Sequence, residues 1–129
     1  MPLIPTATLN TSNMTTDLSS HEDTKYLAFD NDDTTGCGAF PSPYYLQYTF
    51  DENTHVDTIR VHAAATGTPQ YKISVSEDGI TFTDETTHAI SGWVTKAVGK
   101  KIKAIRVTGN SGSSSSYPTF NTIQVYKNF

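Results

Sequence analysis

Ile59-Arg60-Val61-His62-Ala63, then Tyr71-Lys72-Ile73-Ser74-Val75, then Asp78-Gly79-Ile80-Thr81-Phe82 is the stretch that decides the fold. In the first two runs every second residue is apolar, so each reads as a strand with one buried and one wet face. Asp78-Gly79 accepts the positive backbone angles of a tight turn, so the run ending at Val75 is expected to pair with a strand at Ile80–Phe82.

The same pattern extends outward. Tyr44, Leu46, Tyr48 and Phe50 fall on one face of an aromatic run, which Asp51-Glu52-Asn53 is expected to turn into the Ile59 strand. On the other side, Trp93-Val94 begins a weaker strand. Lys101 to Thr108 turns Ile105 and Val107 inward, and Ile123-Gln124-Val125-Tyr126 closes the set. No helix of ordinary length is written. Roughly seven or eight short strands, spaced about ten residues apart, predict an all-β, antiparallel sandwich.

Composition agrees. The 129 residues make one domain, rich in Thr and Ser, with seven Tyr and six Phe, a strand-forming alphabet. A formal net charge of -4 argues against a nucleic-acid partner, which needs a basic face. Lys96, Lys100, Lys101, Lys103 and Arg106 read as a solvated strand edge guarded against aggregation. Cys37 is the single cysteine, so packing alone holds the fold. Met1-Pro2-Leu3-Ile4-Pro5 has neither the basic start nor the apolar run of a signal peptide, and no window approaches a membrane span. The expectation is a soluble chain without membrane insertion, extracellular only by a non-classical route.

Residues 1–25 are Thr-, Ser-, Asn- and Pro-rich, with a short strand expected at Thr6 to Leu9. They read as a polar arm that packs on its own domain or is pinned by a partner. The domain proper takes residues 26–129. Asp30, Asp32 and Asp33 crowd three carboxylates into four residues, which calls for a cation, N–H donors or open water. An EF-hand is excluded because Pro41 stands where its closing Glu belongs. A structural calcium on this turn and an Asx-turn loop without metal both remain open.

Gly109 to Thr119, with four consecutive serines, reads as a long loop between two strands that pair in one sheet. Long loops on a rigid scaffold are where binding residues collect. Catalysis finds no footing: His21, His55, His62 and His88 show no metal-ligand spacing, and no nucleophile elbow or phosphate loop is present.

The order of the blocks Ala28–Thr35, Tyr45–Phe50, Val56–Val61, Tyr71–Phe82, Ile105–Thr108 and Ile123–Tyr126 resembles the discoidin family. That family is also called the coagulation factor 5/8 C-terminal domain, and it overlaps the family 32 carbohydrate-binding modules. Ser76-Glu77-Asp78-Gly79 with Phe82 is the most specific block. The resemblance implies a galactose-binding-like jelly roll without catalytic activity, its glycan held by loops at one end through aromatic stacking and His, Arg and Asn hydrogen bonds.

On that basis the candidate ligand residues are Tyr117, which stacks on a sugar or tucks against its own sandwich, His62 as a donor to a hydroxyl, Tyr45, and Asn110. The resemblance also implies calcium in members that hold it, here at Asp32 with Asp30 beside it. Three departures stand out. Cys37 replaces a common Trp, Asn31 a common Gly, and Thr122 the Glu that would complete the calcium site. The lack of flanking cysteines points to a bacterial or viral source. Two roles follow: a glycan-binding adhesion module displayed on a particle such as a bacteriophage virion, or a purely structural capsid decoration or fibre protein whose arm contacts other proteins.

Overall fold

The structure, a computed structural model, describes residues 11–17, 23–29, 34–38, 44–66, 70–89, 92–111 and 117–126. Among these residues seven strands run in chain order: β1 Met14–Thr16, β2 Cys37–Gly38, β3 Tyr45–Thr66, β4 Gln70–Ser76, β5 Thr83–Ala89, β6 Gly92–Ser111 and β7 Tyr117–Tyr126. All pairings are antiparallel. The order is β2-β7-β3-β6-β4-β5, with β1 added beside β3.

The long pair β3 and β6 turns this sheet into two layers. The first part of β3 lies between β1 and the second part of β6, which continues to β4 and β5. The second part of β3 lies between β7 and the first part of β6, with β2 outside β7. Thr49 faces Ala104 while Thr54 faces Ile102, so β3 carries extra residues at the bend. Bulges of this kind are how strands pass from one layer of a sandwich to the other. The product is the expected all-β jelly-roll sandwich.

Alternation places the core. Leu46, Tyr48 and Phe50, then Val56, Ile59, Val61 and Ala63, are buried along β3, together with Tyr71, Ile73 and Val75 of β4, Ile105 and Val107 of β6, and Phe120, Ile123 and Val125 of β7. Each fully buried side chain of this size contributes about 1.5–3 kcal/mol. Tyr71 and Phe120 belong to strands that do not pair, yet their rings meet edge-on at 5.5 Å and so join the layers. Phe29, delivered by the 3-10 turn Lys25–Ala28, packs on Tyr48 at 5.7 Å, and Tyr48 on Phe50 at 5.1 Å. Cys37 is fully buried opposite Phe120, and burial pushes its thiol up to about 11 against the opposing pull of Thr24.

Several sequence expectations need correction. Asp51-Glu52-Asn53 is no turn: it is the bulge inside a continuous β3. Its polar groups are satisfied without reversing the chain, for Asn53 Nδ2 donates to the Glu77 carbonyl at 3.0 Å and Lys103 Nζ to the Asp51 carbonyl at 2.7 Å. The partner of β4 begins at Thr83, and Ile80, expected in a strand, is 83% exposed at the turn. Asp78 claims the backbone here, its Oδ1 accepting from the N–H groups of Ile80 and Thr81 at 2.8 Å and from the Ser76 hydroxyl at 2.9 Å. Trp93 and Lys101–Thr108 share one strand, β6. β6 and β7 do not pair with each other, since β3 lies between them. Tyr44, placed with the core face, is exposed.

Residues 11–17 add to the sandwich. Met14 is buried, and Asp17 Oδ1 accepts from the Tyr45 N–H at 2.8 Å. The strand expected at Thr6 to Leu9 lies outside the described residues. No described helix is long and apolar enough to cross a membrane.

Candidate functional site

Chain connectivity defines one end of the sandwich. Thr66 ends β3 in the four-stranded layer and Gln70 opens β4 in the five-stranded one. Ala89 and Gly92, and Ser111 and Tyr117, are likewise joined across the layers by short links. At under 3.8 Å per step, the first two links span at most about 15 Å, so these strand ends share one end of the molecule. Tyr45 belongs there too, opposite Thr108, with the Gly109 N–H donating to the Tyr44 carbonyl at 2.9 Å. The Asp78-Gly79 turn and the β3 bend mark the other end, tied together by the Asn53–Glu77 bond.

All four ligand candidates fall on strands that reach the loop-bearing end. Tyr117 is the first residue of β7, opposite Thr66. Tyr71 pairs with Gly109 and Gln70 with Ser111, which leaves Asn110 as the extra residue of a bulge. A bulge re-aims a side chain out of the alternation. The side chains of Tyr117 and Asn110 lie outside what the structure describes. Tyr45 begins β3, half-buried, with the Arg106 guanidinium 3.9 Å from its ring centroid. Arg106 is also held by Phe82, again at 3.9 Å, and by two bonds to Gln47 Oε1 at 3.0 and 2.7 Å. Tyr45 is thus committed through its ring to a structural stack.

His62 lies on the solvent side of β3, between Trp93 of β6 and Thr122 of β7. Its ring stacks on Trp93 with centroids 5.2 Å apart and planes 21° apart. Arg60, two residues earlier on the same face, sets its guanidinium 4.4 Å from the Trp93 ring centroid. Its Nη1 donates to Gln124 Oε1 and to the Tyr126 hydroxyl, both at 3.3 Å, and that hydroxyl donates to Gln124 at 3.0 Å. Trp93 remains 40% exposed. In the sequence Trp93 reads only as the start of a weak strand. The available signal is that Trp93 and Thr95 alternate against the apolar Val94, which puts the indole outward.

Asp30 and Asp32 lie outside the described residues. Thr122, at the position that would complete a calcium site, is buried and brings only a neutral hydroxyl. Among the described residues no three His, Cys, Asp or Glu side chains gather in a metal-binding group.

The family model of the F5/8 type C domain matches residues 8–123. The chain belongs to the F5/8 type C domain family. Several solved structures share the fold and superpose over most of their length. The family 32 module of AlyQ in complex with 4,5-unsaturated mannuronic acid gives a TM-score of 0.71 at 17% identity, covering 89% of this chain and 94% of that one. The Clostridium perfringens module CpGH89CBM32-4, in complex with GlcNAc-α-1,4-galactose, gives 0.72 at 16% identity over 96% and 94%. The family 32 module of C. perfringens NanJ, in complex with galactose, gives 0.68 at 20% identity over 97% and 98%. A search of curated proteins returns no match.

Proposed function

We propose that this F5/8 type C domain is a non-catalytic glycan-binding module whose saccharide sits at the loop-bearing end, among Tyr117, His62, Asn110 and the exposed margin of Tyr45. The observation that carries the reading is that β3, β6 and β7, the three strands bearing these four positions, all reach the end where the layers are linked. Binding saccharides is what the AlyQ and the two C. perfringens modules do in their own structures, which supports the reading.

The chemistry required is modest. An aromatic ring stacks on the apolar face of a pyranose, while imidazole and amide groups exchange hydrogen bonds with its hydroxyls. Each such bond is worth about 1 kcal/mol net, so one sugar unit is held with a dissociation constant on the order of 1 mM, about -4 kcal/mol. Avidity from several copies raises that by orders of magnitude, which suits a domain displayed on a larger assembly such as a bacteriophage particle. Calcium at Asp30 and Asp32 belongs to the proposal as a clamp on the acidic turn, not as a participant in sugar contact.

A glycan array probed with wild-type protein and Tyr117→Ala, each with calcium and with a chelator, tests this. The expected result is saturable binding lost in the variant, with chelator sensitivity reporting the metal. Silence across the array from folded protein overturns it and leaves the alternative, a structural particle component that binds only proteins.

A further inference from the structure

The solvent side of the four-stranded layer is a grid of directly paired residues. Trp93 and His62 form one row across β6 and β3, with the buried Thr122 beside them on β7; Thr95, Arg60 and Gln124 form the next; Ala97, Thr58 and Tyr126 the third. In a protein with thirteen carboxylates and a net charge of -4, none of these nine positions carries an acid. At the centre stands Arg60, its described acceptors both neutral and both on Nη1. Its described partners are an indole, which it lies against, and an amide and a phenol, which prop it.

We propose that this face binds a carboxylated pyranose, the uronic acid unit of an acidic polysaccharide, as a surface separate from the loops. Trp93, 40% exposed, offers the sugar ring the part of its indole that His62 and Arg60 leave uncovered. The fork of Arg60 receives the carboxylate in the charge-assisted, paired geometry that guanidinium favours. Gln124 and Tyr126 fix the guanidinium before the ligand arrives, so little side-chain freedom is lost on binding. The grid adjoins the loop-bearing end through His62, so a chain lying along it continues toward the loops. Neither Tyr117 nor the loops themselves are needed for it.

Trp93 is the sole tryptophan, so its fluorescence reports on this face, and because His62 couples it to the loop-bearing end, Tyr117→Ala is used to separate the two surfaces. The probes are trigalacturonate and its methyl-esterified form, titrated into wild type, Arg60→Gln, Arg60→Lys and Tyr117→Ala. Wild type is expected to show a saturable change with the acid and at least about tenfold weaker binding of the ester, the cost of one charge-assisted bond. Arg60→Gln loses the preference for the acid, Arg60→Lys keeps part of it, and Tyr117→Ala leaves it unchanged. Equal response to acid and ester, or an unaltered preference in folded Arg60→Gln, overturns the proposal. So does no response to trigalacturonate; if neutral glycans then still bind in a Tyr117-dependent way, the loop-end reading stands without it. Should Arg60→Gln fail to fold, Arg60→Lys and added salt replace it. Acid binding is then expected to weaken with both, and acid binding unmoved by either overturns the proposal.

Discussion

His62 and Trp93 lie directly opposite one another across the β3–β6 ladder, their rings 5.2 Å apart and inclined by 21°. The pair pins the start of β6 to β3 just where the two strands reach the loops. Cross-strand aromatic pairs contribute about 0.5–1.5 kcal/mol beyond their area. Trp93→Ala is expected to lower the urea-unfolding free energy by about 1–2 kcal/mol, and Trp93→Phe by less, each read as a shift in midpoint at constant slope.

The Tyr71–Phe120 contact closes the sandwich from within. Phe120→Ala is expected to cost about 3–5 kcal/mol, the usual penalty for emptying a fully buried ring site. The same region sets the alkaline limit. Burial pushes Tyr71 up to about 12 and Cys37 up to about 11 from ordinary values of 10.0 and 9.0. Folding holds both groups neutral, so their contribution is whole below pH 9.0 and is lost as pH rises from there toward 11 and 12. Urea midpoints followed upward from about pH 8 should fall, and Tyr71→Phe should flatten the upper part of that fall.

At the other end, the N–H groups of Thr81 and Ile80 and the Ser76 hydroxyl hold the Asp78 carboxyl below its usual range. A carboxyl depressed on folding stabilises above its unfolded value and loses that contribution as pH falls through the folded one. Asp78→Asn keeps an oxygen acceptor but removes the charge, so the acid side of the stability profile should flatten. Gly79→Ala is expected to cost about 1–2 kcal/mol, because Gly79 has φ 82 and an added Cβ would come 3.2 Å from Lys103 Cγ.

Among the described residues, the first part of β6 is open beyond its ladder with β3, since β4 pairs only from Ala104 onward. Lys96 faces Ile59 and shares its face with the partly buried Val94 and Val98. A lysine turned toward the core on an open edge blocks another strand from docking. Lys96→Val should therefore self-associate at concentrations where wild type does not, measured by sedimentation velocity; unchanged sedimentation would show that the edge is protected by something else.

Strand alternation is readable because it is local: Ile59, Val61, Tyr71, Ile73, Ile105 and Val107 point inward as the sequence predicts. What the sequence hides depends on distant partners. Asp51-Glu52-Asn53 uses a turn alphabet, but a bulge satisfies the same groups when Lys103 and the Glu77 carbonyl are within reach. Whether β6 and β7 pair is decided by β3 passing between them, which no local pattern records. His62 reads in the sequence as the end of its strand before a loop, but β3 runs on to Thr66; its companion Trp93 is not legible, because only the long β3–β6 register brings them together. Arg60 gives no signal on its own, and becomes notable only beside neutral neighbours on a second strand and an indole on a third.

The most direct test of glycan binding at the loop-bearing end is an NMR titration of 15N-labelled protein with neutral galactose- and N-acetylglucosamine-containing oligosaccharides. Saturable shifts are expected to concentrate at Tyr45, His62, Asn110 and Tyr117 and their strand neighbours, with Ser76 to Thr83 unmoved. Shifts centred on the Asp78–Gly79 turn, or none at any concentration with any sugar, would contradict binding at this end.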